Sequence, residues 1–120
     1  MAIDGLNLSV LVGPCSGPPE IRELTSGTRL ATLAVRVPAT DDRATSVPVS
    51  VWDPPAWIET ITAGDEVVVV GRVHRRFFRV AAGGTGSRVE VESEAIARAT
   101  DGRRRAALRR RAETALTALA

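Results

Sequence analysis

The sequence contains no lysine and no tyrosine, and it has a single cysteine among 120 residues. One cysteine, Cys15, excludes an internal disulfide and a cysteine-rich zinc site. No segment approaches the roughly 20 apolar residues that a membrane-spanning helix requires. No basic start is followed by an apolar run of the kind that secretory signals have. We therefore expect a cytoplasmic protein with no membrane partner and no bound metal.

Residues that could support catalysis are also scarce. Cys15 has no histidine or acid at a spacing typical of an activated nucleophile. The acidic pair Asp65-Glu66 falls in a predicted turn, where it is expected to be solvated. The glycine-rich segment 83–86 is not followed by the Lys-Ser or Lys-Thr of a phosphate-binding loop. The sequence therefore predicts no enzymatic activity, no cofactor and no small-molecule substrate.

The basic residues are unevenly distributed. All 16 of them are arginine, and the formal net charge is +2. Residues 1–100 hold ten arginines and twelve acids, a net charge of −2, whereas residues 101–120 hold six arginines and two acids, a net charge of +4. The basic tail is either an arm for nucleic acid or a solvated helix face. The use of arginine alone reflects either genomic composition or a need for its planar, stacking head group.

Alternating apolar residues separated by Gly- and Pro-rich segments predict an all-β domain over residues 1–98. The predicted strands cover 6–12, 29–37, 46–52, 66–80 and 88–96, and residues 14–28 read as a loop. Asp53 followed by Pro54 predicts the start of a short helix over 54–62. Five strands with a helix between the third and fourth is the order of a five-stranded OB-fold barrel.

Residues 99–120 are predicted to form a basic amphipathic helix or tail. One stripe at helical spacing is formed by Leu108, Ala112, Ala115, Leu116 and Leu119. Because the apolar area of this stripe is small, the helix would be marginal in isolation.

The order and spacing of short motifs along the predicted strands and turns resemble those of the bacterial single-stranded DNA-binding protein family over roughly residues 6–97. The resemblance rests on an ordered set of short motifs: Leu11-Val12-Gly13, Pro19-Glu20-Ile21-Arg22, Ser26-Gly27, Val49-Ser50-Val51-Trp52, Gly64-Asp65-Glu66-Val67, Gly71-Arg72-Val73 and Val89-Glu90-Val91. It implies an OB barrel that assembles as a homo-oligomer, a tetramer or a dimer. It also implies binding of single-stranded DNA in replication, repair or recombination, and a nucleoid-associated location.

Strand parity predicts which residues would contact a single strand. In the strand at 29–37, Leu33, Val35 and Val37 are expected to share one face, and in the strand at 46–52, Val47, Val49 and Val51 are expected to face the core and Ser46, Pro48, Ser50 and Trp52 to face outward. In the strand at 66–80, Val73 and Phe77 are expected to face the core, and the alternate residues beyond Gly71 to face outward. Trp52 and Phe78 lie where the family carries aromatics on which bases stack. The predicted nucleic-acid-binding residues are Trp52, Phe78, Arg76, His74, Arg72 and Arg36.

Two features depart from the family. Ala39 and Ser46 align with positions where the family has aromatics, and losing two base stacks would cost about 2–6 kcal/mol. The family's acidic C-terminal tip, which recruits partners, is replaced here by the basic tail, so that role is not carried over. Two alternatives therefore stay open: a diverged OB-fold paralogue that acts as an oligomeric protein-docking module with weak or no DNA binding, and a preference for RNA.

Overall fold

The computed structural model describes residues 5–41 and 43–119. Residues 1–4, 42 and 120, which fall within the predicted domain and tail, lie outside the described residues. The described chain is mostly β-structure followed by one α-helix. Its elements are β1 (Ser9–Pro14), β2 (Glu20–Glu23), β3 (Arg29–Val37), β4 (Thr45–Trp52), a 3₁₀ turn (Ala56–Thr60), β5 (Glu66–Arg79), β6 (Thr85–Arg98), α1 (Gly102–Leu116) and a second 3₁₀ turn (Thr117–Leu119).

The strands form one sheet in the order β1-β5-β6-β4-β3-β2. Neighbours are antiparallel except for a short parallel contact between β4 and β6, at Val49 and Ser50. The two halves of the sheet also meet through an isolated bridge between Cys15 and Val35. This arrangement is consistent with an OB fold, but the prediction of a five-stranded barrel was wrong in two respects: the sheet has six strands, and it does not close into a barrel.

The additional strand, β2, lies in the segment that was predicted as a loop. It is four residues long, and Ile21 packs against the core while its charged neighbours are exposed. The strand is defined by its pairing with residues 29–32 of β3. The surrounding Pro, Gly and Ser residues conceal it in the sequence, because four residues are too few to display a period.

The core lies between the inner faces of the curved sheet. Leu33 and Val35 of β3 and Val49 and Val51 of β4 are buried in it, which confirms the inward parity predicted for both strands. Ser50, predicted to face outward, is also buried, because this small side chain lies between its sheet neighbours on β3 and β6.

The segment between β4 and β5 forms less helix than predicted. A 3₁₀ turn of five residues replaces the helix over 54–62, and the predicted cap is absent: Pro55 precedes the turn in an extended conformation. The residue before a proline is disfavoured in the α region. Asp53 and Pro54 both precede a proline, so the turn cannot begin before Pro55. Asp53 itself adopts a φ of 48°.

Strands β5 and β6 form a long hairpin that extends beyond the rest of the sheet. Strand β1 accompanies β5 only as far as Gly71. The hairpin register shifts between Val70 and Gly71, where a Cβ on Gly71 would lie 2.1 Å from the Glu92 carbonyl oxygen. Val73 and Phe77, predicted to face the core, are 50% and 68% exposed. That prediction was wrong because, within residues 5–41 and 43–119, no second layer covers these two side chains.

Helix α1 packs against the outer face of the sheet. Asp101 caps its start by accepting a hydrogen bond from the backbone N–H of Arg104 at 3.1 Å. Leu108 is buried against Val68, Val70 and Ala97, with Ala112 beside it. The predicted basic helix is therefore present and docked, while the division of the chain at residues 98 and 99 stays a prediction. Within the described residues, no helix is long and apolar enough to cross a membrane.

Candidate nucleic-acid interface

One face of the β5–β6 hairpin carries four of the predicted binding residues. Cross-strand partners in an antiparallel pair share a face, so the register places Arg72 opposite Glu92, His74 opposite Glu90, Arg76 opposite Arg88 and Phe78 opposite Gly86. We call these eight positions the front face. Trp52, at the end of β4, adjoins it, because the Arg76 guanidinium lies 5.6 Å from the centre of the Trp52 ring.

Arg76 links the front face to Trp52. Its Nε lies 3.4 Å from Oε1 of Glu90, whose side chain is almost fully buried, and Arg88 approaches the same oxygen at 3.9 Å. The guanidinium is thereby held against one face of the Trp52 ring, a favourable cation–π arrangement. Trp52 is 39% exposed, which leaves ring surface for a base. Arg76 thus orients the tryptophan as well as supplying charge.

Phe78 lies in an open groove of about 490 Å³, here called the front groove. Phe78 is 43% exposed. Its ring lies over Gly86, where an added Cβ would be 2.6 Å from the ring edge. Glycine at this position therefore allows the ring to lie against the strand. The front groove is lined by Glu20, Arg22, Thr32, Arg76, Phe78, Arg79 and Arg88.

Sequence reasoning missed three arginines of the front groove: Arg22, Arg79 and Arg88. Arg88 reaches the groove through its register with Arg76, which only the structure shows. Arg22 was missed because the strand that carries it was predicted as a loop. The groove combines an aromatic ring with four guanidinium groups against one carboxylate. Such a surface can stack a base and neutralise the phosphates beside it.

Acidic residues reduce the positive charge of the front face. Arg72 is paired with Glu92 at 3.2 Å, and Glu90 is shared by Arg76 and Arg88. Because Glu90 is buried, its carboxylate cannot swing out of the way when a nucleic-acid strand binds to the front face. His74 is exposed and lies opposite Glu90. The front face is therefore closer to neutral than its arginine count indicates.

Arg36 lies apart from the other predicted binding residues. It is opposite Ser46 in the β3–β4 pair and lines a shallow depression with Pro38 and Ala39. It is six residues along β3 from Leu30, the partner of Trp52, which corresponds to about 20 Å. Ala39 and Ser46, which were predicted to replace family aromatics, also lie at this end of the sheet, and neither offers a stacking surface.

A second set of polar contacts has a structural role. Arg98 bonds the Asp65 carboxylate at 3.2 Å and the Thr60 hydroxyl at 2.5 Å, and its guanidinium lies over the Trp57 ring. The backbone N–H of Thr62 and then Arg98 hold the pKa of Asp65 below its ordinary value. These contacts join the 3₁₀ turn, the start of β5 and the end of β6.

Cys15 is buried in the core, and this burial raises the pKa of its thiol, with a further increase from nearby Asp65. A protonated, inaccessible thiol is a poor nucleophile. Over residues 5–41 and 43–119, no three histidine, cysteine, aspartate or glutamate side chains are grouped closely enough to hold a metal ion.

A mostly antiparallel sheet with exposed aromatic rings and arginines on one face is typical of OB-like proteins that bind single strands. The comparison with protein families agrees. The family model described as the single-strand binding protein family matches residues 6–99. The chain therefore belongs to the single-strand binding protein family. A comparison with curated proteins gives no match.

Proposed function

We propose that this protein binds single-stranded DNA without sequence preference, by stacking bases on Trp52 and Phe78 and neutralising phosphates with arginine. The observation that carries the proposal is the placement of both exposed rings beside Arg76. Family membership supports the same substrate. The role is binding, without catalysis, in cytoplasmic DNA replication, repair or recombination.

The test is a titration of oligo-dT at three salt concentrations, followed by fluorescence anisotropy of the labelled oligonucleotide. Each base stack is worth about 1–3 kcal/mol, so the double variant Trp52→Ala/Phe78→Ala should bind at least tenfold more weakly. Leu119→Ala, at an exposed apolar position on the tail, is the matched control and should bind as the wild type does. Unchanged affinity of the double variant would refute the stacking mechanism. Competition with a matched RNA oligomer determines whether DNA is preferred.

We further propose that the protein self-associates through β1. This strand is at one end of the sheet order, and an unpaired strand edge favours pairing with another chain. Val10 and Val12 of β1 are half exposed and line an apolar groove with Leu116 of α1. Light scattering should give the mass of a dimer or tetramer at micromolar concentration, and Val10→Asp/Val12→Asp should lower it. A monomeric wild type would refute this proposal.

The alternative function is an oligomeric protein-docking module with weak or no DNA binding. Glu90 and Glu92 favour it, because their two carboxylates pair with three arginines of the front face and offset most of that charge. It predicts a stable oligomer that gives no anisotropy change with oligo-dT at moderate salt. The titration described above therefore distinguishes the two functions.

A further inference from the structure

The hairpin has a second exposed face that the stacking mechanism does not use. At the base of this rear face, Val73 lies opposite Val91, which is buried in the core. Farther out the face is exposed: the register places Arg75 opposite Val89 and Phe77 opposite Ser87, and Arg79, at the end of β5, lies opposite Thr85. Phe77 is the most exposed of the large apolar side chains that the structure describes. An isolated, uncovered aromatic ring on a projecting hairpin is available to a ligand.

The charge of the rear face differs from that of the front face. None of the rear-face partners on β6 is acidic. Arg75 donates a hydrogen bond to the Ser87 hydroxyl at 3.0 Å. Among the described residues, neither Arg75 nor Arg79 lies within ion-pair distance of a carboxylate. The rear face therefore carries two positive charges that no acid of the hairpin offsets.

The spacing of these groups matches what a single strand needs. Alternate residues of a strand lie about 7 Å apart, so the ring of Phe77 lies between two cations along one line. A ring flanked by unpaired guanidinium groups can stack a base while the neighbouring phosphates are neutralised. A peptide partner would have to be acidic to match the charge of this face.

Arg79 connects the two faces at the tip of the hairpin. It lines the front groove together with Phe78, and it also lines the depression formed by the turn at residues 80–84. Gly83 and Gly84 adopt positive φ in this turn, so the chain reverses tightly and the tip stays narrow. A flexible polymer bound in the front groove can therefore pass Arg79 and reach Phe77.

We infer that Phe77, Arg75 and Arg79 form a second contact site for a single-stranded polynucleotide, so that the strand bends around the hairpin and stacks on both of its faces. This inference rests on the proposed function, and it makes Phe77 a binding residue in addition to Trp52 and Phe78. The ligand is the same polynucleotide chain, which extends beyond the front groove to the rear face.

The test compares the full-length wild type with Phe77→Leu, which keeps an apolar side chain and removes the ring. The probes are a short oligo-dT, which fills only the front groove, and a longer oligo-dT, titrated under the same salt conditions. Phe77→Leu should weaken binding of the longer oligonucleotide about five- to a hundredfold and leave the short one unchanged. Arg75→Gln/Arg79→Gln should reduce the log–log salt slope for the longer oligonucleotide by up to about 1.4.

The controls separate the possible failures. Val89→Thr changes an exposed apolar neighbour of Arg75 on the same face and should bind both oligonucleotides as the wild type does. Wild-type affinity of Phe77→Leu for the longer oligonucleotide, with binding still lost in Trp52→Ala/Phe78→Ala, would overturn the second site and leave the proposed function intact. A fall in oligomer mass in Phe77→Leu without loss of DNA binding would overturn it in favour of a protein contact. Failure of the wild type to bind either oligonucleotide would overturn both.

Discussion

At the scale of single residues, Gly86 controls the position of the Phe78 ring. A methyl group at this position would meet the ring edge at 2.6 Å, and the ring can move because it is at the exposed end of a side chain. Gly86→Ala should therefore tilt Phe78 and weaken oligo-dT binding by about three- to tenfold, a part of one stacking interaction. Anisotropy titration measures the affinity.

The thermal midpoint of Gly86→Ala provides the control for folding. A Gly→Ala change at a compatible backbone conformation restricts the unfolded chain and raises stability by about 0.4–1 kcal/mol, so the midpoint should stay constant or increase. Lower affinity with no loss of stability would assign the effect to the ring. A variant that binds normally would show that the ring position at Phe78 is unimportant.

Glu92 limits the charge that the front face presents to phosphates. Its carboxylate is bonded to Arg72 at 3.2 Å, so Glu92→Gln should free the guanidinium and remove a repulsive charge. We expect tighter oligo-dT binding and a log–log salt slope that is steeper by about 0.7, the value for one additional phosphate contact. The slope is obtained from titrations at three salt concentrations.

Glu94→Gln is the matched control for Glu92→Gln. It makes the same chemical change in the same strand, but Glu94 pairs with Arg111 of helix α1 at 3.3 Å. Its slope should remain that of the wild type. If both variants steepened the log–log salt slope by the same amount, the result would contradict a local role for Arg72 and indicate a general charge effect.

At the scale of secondary structure elements, helix α1 is held to the sheet by a small apolar contact. Leu108 is its only buried residue. Leu-to-Ala changes in cores cost about 2–5 kcal/mol. We expect about 2 kcal/mol for Leu108→Ala, the lower limit, because the helix can separate from the sheet instead of leaving a cavity. Urea unfolding measures the change, and the exposed Leu119→Ala should unfold as the wild type does.

The contacts of Asp65 make one junction of elements dependent on pH. Its pKa is lowered in the folded state, so the ionised carboxylate stabilises the fold above the ordinary aspartate pKa, and this stabilisation is lost as the pH falls below about 4. Asp65→Asn should therefore be less stable than the wild type at pH 7. The difference should shrink at pH 3.

Urea midpoints of both proteins at the two pH values measure this effect. Glu59→Gln is a suitable control, because it changes an exposed acid of the adjacent 3₁₀ turn that pairs with Arg29. A constant difference between Asp65→Asn and the wild type across this range would contradict the role of the ionised carboxylate.

At the scale of the whole molecule, most arginines of the tail already have an ion-pair or hydrogen-bond partner within the protein. Arg104, Arg109 and Arg111 are ion-paired, and Arg105 donates to the Ala99 carbonyl. Within the described residues, Arg103 and Arg110 are exposed and have no such partner. Removing the tail at residue 99 would uncover the apolar surface beneath Leu108, so substitutions test its charge more cleanly than truncation does.

If the tail contacts phosphates, Arg103→Gln/Arg110→Gln should reduce the log–log salt slope for oligo-dT by up to about 1.4. The variant Arg104→Gln/Arg111→Gln removes the same charge from paired arginines and should change the slope less. Equal effects of the two variants would show that the tail acts through net charge alone. An unchanged slope in both would restrict binding to the sheet.

The sequence alone determined the parts of this protein that depend on near neighbours. Strand β3 has the predicted bounds, the inward residues of β3 and β4 alternate as predicted, and helix α1 lies within the predicted basic tail. The ordered motifs were sufficient to indicate the family that residues 6–99 match. Periodicity acts over a few residues, so it can be read along the chain, whereas the cap predicted at Asp53 is absent.

Tertiary structure alone decided which residues of distant segments lie opposite one another and which side chains stay exposed. Strand β2 is defined by its partner, and Phe77 is exposed because nothing in the described part of the chain packs over its ring. The pairing of Glu90 with Arg76 and Arg88 follows from the register of two strands joined by a distant turn. These features depend on residues that are remote in sequence, and no local pattern encodes them.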